Sequence, residues 1–136
     1  MQLARLVLVE DDENSARVAH RVLSRLGGHE VTLTEDGDEV LRLCAAGCVD
    51  LVVMDVSLAR TRVDGTPVDG VQLTRLIHER AGEQAPPVLL VTAHAMRGDR
   101  ARLLAASGAD DYIAKPIIDH RELVDRVNAL LASRAA

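Results

Sequence analysis

Short apolar runs alternate along the chain with longer stretches in which apolar positions recur every three or four residues. The runs are Arg5–Val9, Glu30–Thr34, Leu51–Asp55, Val88–Thr92 and Asp111–Ala114. Most are continuous rather than alternating, as expected of strands covered by helices on both faces. Between them, five sets of positions mark amphipathic helices: Ala16, Ala19, Leu23 and Leu26; Val40 and Cys44; Leu73, Leu76 and Ile77; Leu103 and Leu104; and Leu123, Val127, Leu130 and Leu131. The breaks carry the residues that end or start such elements: Gly27-Gly28, Asp36-Gly37, Pro86-Pro87 and Gly108.

Strict alternation of strand and helix predicts an α/β fold with a doubly wound parallel sheet, because right-handed crossovers place helices on both faces. Five strands favour the flavodoxin-like order 2-1-3-4-5 with five helices, all within one domain spanning residues 1–136. In that order the first and third strands are neighbours. Ligands bind at such a switch point, beyond the carboxyl ends of the strands.

The first strand ends there in four consecutive acids, Glu10, Asp11, Asp12 and Glu13. Like charges about 4 Å apart repel by roughly 4 kcal/mol at an effective dielectric of about 20, so the cluster calls for a cation. The rest of the composition agrees with an acidic site. Of 136 residues 48% are apolar, enough for one core, and the formal charge is −5 with the basic residues scattered. Scattered basic residues argue against nucleic-acid binding. The amino-terminal segment reads as neither a signal peptide nor a membrane span, so a cytoplasmic location is expected. Cys44 and Cys48 lack the partners for a zinc site and read as reduced thiols. His20, His29, His78 and His120 lack ligand spacing and read as surface groups. Phe and Trp are absent, and Tyr112 is the sole aromatic residue.

The third strand, LVVMD, puts Asp55 at the edge where Asp11 and Asp12 emerge. Neighbouring strands lie about 4.8 Å apart, so these three carboxylates can converge. An all-oxygen set suits Mg²⁺, which accepts few carboxylates and keeps several waters. Glu10 and Glu13 are then expected to flank the ion without binding it. The fourth strand ends in Thr92 and the fifth is followed by Lys115. A carboxylate nucleophile, a divalent cation, a hydroxyl and an ammonium form a phosphoryl-transfer set, with Asp55 attacking phosphorus. No P-loop accompanies it, which argues against a nucleoside triphosphate.

With LVLVEDDE, LVVMD, VTAHA and DDYIAKPI in order, each at a strand end, the chain resembles the receiver domain of two-component response regulators over essentially its whole length. The resemblance implies that Asp55 is the phosphoacceptor, that Asp11 and Asp12 position Mg²⁺ and that the Ser57 carbonyl is a further ligand. It implies that Thr92 and Lys115 contact the phosphoryl group and that Tyr112 is the aromatic switch. It also implies a cis bond at Lys115-Pro116 and a tuning of dephosphorylation by Ser57 and His94. The partners implied are a histidine kinase or phosphotransfer protein and a downstream protein target, bound through the fourth helix, fifth strand and fifth helix. The domain would act as a monomer or a phosphorylation-dependent homodimer, and as a switch rather than a dedicated enzyme.

A stand-alone receiver is the expectation, with a receiver cut from a larger regulator or hybrid kinase as the alternative. A haloacid-dehalogenase phosphatase also uses a strand-end Asp with Mg²⁺, but it needs a second Asp two positions on, where this chain has Ser57. A flavin binder lacks both a Gly-rich phosphate loop and an aromatic residue to stack the ring. One stretch departs from the receiver pattern: DVSLARTRVDGTPVDGVQL is several residues longer than the usual connection. Asp69-Gly70 is expected to open the third helix. The preceding residues read as a tolerated surface insertion or, with Arg60 and Arg62, as a partner-selecting or phosphate-approaching lid.

Overall fold

A computed structural model describes residues 3–93, 98–117 and 119–135. Its elements are β1 (Arg5–Val9), α1 (Glu13–Arg21), β2 (Glu30–Thr34), α2 (Gly37–Ala45), β3 (Leu51–Asp55), β4 (Arg62–Val63), β5 (Thr66–Pro67), α3 (Gly70–Ala81), β6 (Val88–Thr92), α4 (Asp99–Ser107), β7 (Asp111–Ala114) and α5 (His120–Ala135). The main sheet runs β2-β1-β3-β6-β7, all parallel. Counting only its own strands, this is the flavodoxin-like order 2-1-3-4-5 read from the alternation.

The two-residue period of each strand divides the core into two layers. On one face Leu6, Leu8, Val53, Leu89 and Ile113 pack with Ala19 and Leu23 of the first helical segment and with Leu123 and Val127 of α5. On the other, Val7, Val9, Val52, Met54 and Leu90 pack with Val40 and Cys44 of α2 and Leu73 and Ile77 of α3. Burying each such aliphatic side chain contributes about 1.5–3 kcal/mol. β3 and β6 are buried at every position, whereas β2, at the sheet's edge, is mostly exposed. Aspartates set three helix starts: Asp12 caps α1, Asp36 caps α2, and Asp69 caps α3 in a reciprocal box with Gln72.

Two sequence expectations change, and the long connection gains a definite form. α1 does not continue regularly to Leu26: residues Val22–Leu26 form a π-helical turn closed by Gly27 N–H on the Val22 carbonyl, and Leu26 is exposed. His29 is buried, not a surface group, because both ring nitrogens have hydrogen-bond partners. The long connection after β3 is also ordered. It forms the hairpin β4–β5 around Asp64 and Gly65, whose φ values of 50° and 80° fit the type I′ turn that two-residue hairpins favour. Asp69-Gly70, not Asp64-Gly65, opens α3. Among the described residues no helix is long and apolar enough to cross a membrane. His94 lies outside the described residues.

Candidate functional site

Strand register builds the site. Val9 of β1 pairs with Met54 of β3, so the next residues, Glu10 just past β1 and Asp55 at the last position of β3, stand side by side at the sheet's edge. Across β6, Thr92 pairs with Ala114, which brings Lys115 to the same edge. One carboxylate oxygen from each of Glu10, Asp11 and Asp55 lies within 4.8 Å of the others. Glu10 and Asp55 are buried, and Asp11 is half-buried. Lys115 Nζ donates to Glu10 Oε1 at 2.6 Å and lies 3.5 Å from Asp55 Oδ1.

Asp12 does not join this cluster. Its exposed carboxylate accepts the Ser15 N–H at 2.9 Å as the α1 cap, and those hydrogen bonds hold it below the usual carboxylate range. The acid that sequence reasoning assigned to a flanking role, Glu10, takes the place beside Asp55 instead. The cause is register: Asp12 lies two residues further along a chain already turning into a helix.

The electrostatics fit a cation site. Burial, and next the adjoining Asp55 carboxyl, push Glu10 up to about 7, while Lys115 pulls it down. Burial works against the charge on Lys115, but the hydrogen bond to Glu10 and the charge of Asp55 together raise it above an ordinary lysine. Three convergent carboxylates with only oxygen donors suit a hard divalent ion.

The remaining expected residues surround this cluster. Ser57 is exposed, and its N–H donates to Asp55 Oδ1 at 3.2 Å. Thr92 is fully buried at the end of β6, its carbonyl accepting the Lys115 N–H at 2.7 Å. Tyr112 is buried in β7, and its carbonyl accepts from Arg126 Nη1 at 3.0 Å. The Lys115-Pro116 bond is cis. Gly70 touches the end of β3 directly: a Cβ there would stand 2.0 Å from the Asp55 carbonyl oxygen. A cleft of about 570 Å³ reaches Glu10, Asp55 and Lys115 past Val18 and Ile117.

A five-stranded parallel sheet with this acid cluster and Lys at its carboxyl edge defines a receiver, and the chain belongs to the response regulator receiver domain family, whose model matches residues 6–128. It is similar to the transcriptional regulatory protein PrrA of Mycobacterium tuberculosis, 37% identical over 133 residues, covering 97% of this chain and 52% of PrrA. It is also similar to the signal transduction histidine-protein kinase BarA of Escherichia coli K12, 33% identical over 121 residues, covering 88% of this chain and 12% of BarA. The chain thus spans only about half of one relative and a small part of the other.

Solved structures agree. The receiver domain of a sensor histidine kinase from Pseudomonas aeruginosa, described with a magnesium ion coordinated in the active site cleft, matches with a TM-score of 0.78 at 30% identity, covering 96% of this chain and 99% of that one. A CheY-like receiver domain from Methanospirillum hungatei shares the fold with a TM-score of 0.76 at 24% identity, covering 98% of each chain.

Proposed function

We propose that this receiver accepts a phosphoryl group on Asp55 from a histidine kinase or phosphotransfer protein, with Mg²⁺ held by Glu10, Asp11, Asp55 and the Ser57 carbonyl. The observation that carries this reading is the convergence of the three carboxylates with Lys115 Nζ 3.5 Å from Asp55 Oδ1. A bound Mg²⁺ would neutralise the phosphoryl oxygens and draw them toward the nucleophile.

Asp55 attacks phosphorus in line, the P–N bond of a phosphohistidine breaks as the P–O bond to Asp55 forms, and the imidazole nitrogen keeps the electron pair. Lys115 offsets the charge on the transferring group, and the Thr92 hydroxyl donates to a phosphoryl oxygen of the product. The product adds charge beside β6 and β7 and so biases a two-state surface.

That surface is the face of α4, β7 and α5, with Tyr112 as its switch. Two cations tie the face together at one acid: Arg100 of α4 and Arg126 of α5 each reach Asp111 Oδ1 of β7 at 3.1 Å. A shift of Thr92 in β6 is therefore felt across the paired β7 and both helices. The downstream target is a protein bound by this face, with the domain a monomer or a phosphorylation-dependent homodimer.

Intact mass after incubation with a small acyl phosphate and Mg²⁺ tests the reading. A single base-labile phosphoryl gain that needs the metal and is absent from Asp55→Asn is expected. A gain that persists in Asp55→Asn overturns the assignment.

A further inference from the structure

The hairpin after β3 is anchored at both ends, and one end reaches the acid cluster. Its far end is anchored on neighbouring helices: Val63 is buried, the Asp64 N–H donates to Asp38 Oδ1 of α2 at 3.0 Å, and Arg80 of α3 pairs with Asp64 at 3.2 Å. The approach to α2 is close enough that a Cβ on Gly37 would meet the Arg62 carbonyl oxygen at 2.6 Å. Its near end closes on one residue. The N–H groups of Ala59 and Arg60 both donate to Asp11 Oδ2, at 2.5 and 3.1 Å. The Arg60 guanidinium donates to the Asp11 carbonyl at 2.6 Å and to Glu35 Oε2 at 3.1 Å.

Asp11 lies beyond the last residue of β1 and before α1, where nothing in the regular ladder fixes its side chain. Two N–H groups on one carboxylate oxygen restrict how the carboxylate can turn. Partners of this kind orient a ligand without touching the ion. The guanidinium spans Asp11 and Glu35, so it ties the backbone of residue 11 to the end of β2 while the hairpin ties its side chain to α2 and α3.

We infer that Arg60 is a positioning residue for the cation site, and that the hairpin is the strap through which it holds Asp11. This rests on the reading that Glu10, Asp11 and Asp55 bind Mg²⁺. A competing effect has the opposite sign: a guanidinium near the cluster repels a divalent cation, so if charge alone mattered, removing Arg60 would tighten binding.

The sign of the change decides. Mg²⁺ affinity of the unphosphorylated protein is measured by titration calorimetry, and amide hydrogen exchange is followed at residues 59 and 60. Arg60→Ala is expected to weaken Mg²⁺ binding about 10-fold and to speed exchange at both amides, as loss of an orienting partner does. Arg60→Lys, which retains a donor and the charge, is expected to recover part of the affinity. Glu35→Gln, which frees the guanidinium without touching the acids, is expected to weaken binding less than Arg60→Ala does. Unchanged or tighter binding in Arg60→Ala, with wild-type protein that binds Mg²⁺, overturns the inference alone. Wild-type protein that binds no Mg²⁺ overturns the cation reading and the inference with it.

Discussion

Lys115 Nζ is closer to Glu10 Oε1, at 2.6 Å, than to Asp55 Oδ1, at 3.5 Å. The ammonium is the positive charge that lets two buried carboxylates share one edge of the sheet, and Glu10 holds it within reach of Asp55. Removing it takes from both buried acids the partner they share. Lys115→Met is therefore expected to lose roughly 1–3 kcal/mol in urea unfolding at neutral pH, the cost of unpairing charged hydrogen-bonded groups. On the proposed cation reading, millimolar Mg²⁺ should return part of that stability, because a ligand of the folded state alone stabilises it. A variant as stable as wild type without Mg²⁺ would mean that the acids find another partner.

Gly70 is where α3 meets the end of β3. A methyl group would stand 2.0 Å from the Asp55 carbonyl oxygen and 2.8 Å from the Val56 Cα. Gly70→Ala must push β3 and α3 apart. About 1–3 kcal/mol of destabilisation is expected from overpacking. Because misplacement of a nucleophile by about 1 Å can cost about 100-fold in rate, phosphoryl uptake at Asp55 should slow by a similar factor. Denaturant midpoints and the time course of mass gain test the two effects separately, and wild-type kinetics in Gly70→Ala would refute the second.

Most of the fold was legible because most of the sheet strands are continuous apolar runs closed by polar residues. β3 and β6 are buried at every position, and no alternation was needed to find them. The site was legible in outline only. Asp55 and Lys115 stand at strand ends that the pattern defines, but the acid beside Asp55 depends on a one-residue matter of register. Pairing of Val9 with Met54 selects Glu10, and nothing in a run of four acids announces that choice. The hairpin did leave a signal, Asp64-Gly65 between Val63 and Thr66, which Pro67 obscured because proline argues against a strand interior. The partners of the buried His29 ring, Ala4 and Asn128, lie 25 and 99 residues away, and no local pattern carries that.

The two thiols should differ sharply in reactivity. Cys44 is packed into the core between α2 and the sheet, and burial pushes its thiol up to about 11. Cys48 is exposed. The thiolate is the reactive form, so at pH 8 a disulfide reagent is expected to titrate one thiol per chain quickly, and a second only after denaturant is added. Replacing Cys48 with Ser should abolish the fast phase and leave the slow one. Two fast thiols in the native protein would show that the end of α2 opens readily.

His29 offers the last prediction because its hydrogen bonds fix its chemical form. The Ala4 N–H donates to Nδ1 at 3.2 Å, so the proton of the neutral ring is on Nε2, which donates to Asn128 Oδ1 at 2.9 Å. The ring thus joins the residue before β1 to α5 through a site only 4% exposed. His29→Ala leaves the Ala4 N–H buried without its acceptor and is expected to cost roughly 1–3 kcal/mol, the penalty for stranding a buried polar group. Asn128 is half-buried, so water can replace its amide, and Asn128→Ala should cost about 1 kcal/mol or less. Urea unfolding of the two variants measures the difference, and nitrogen-15 shifts of the ring report the tautomer directly. A ring protonated on Nδ1, or equal costs for the two variants, would show that the bond from Ala4 is not what holds this side chain in place.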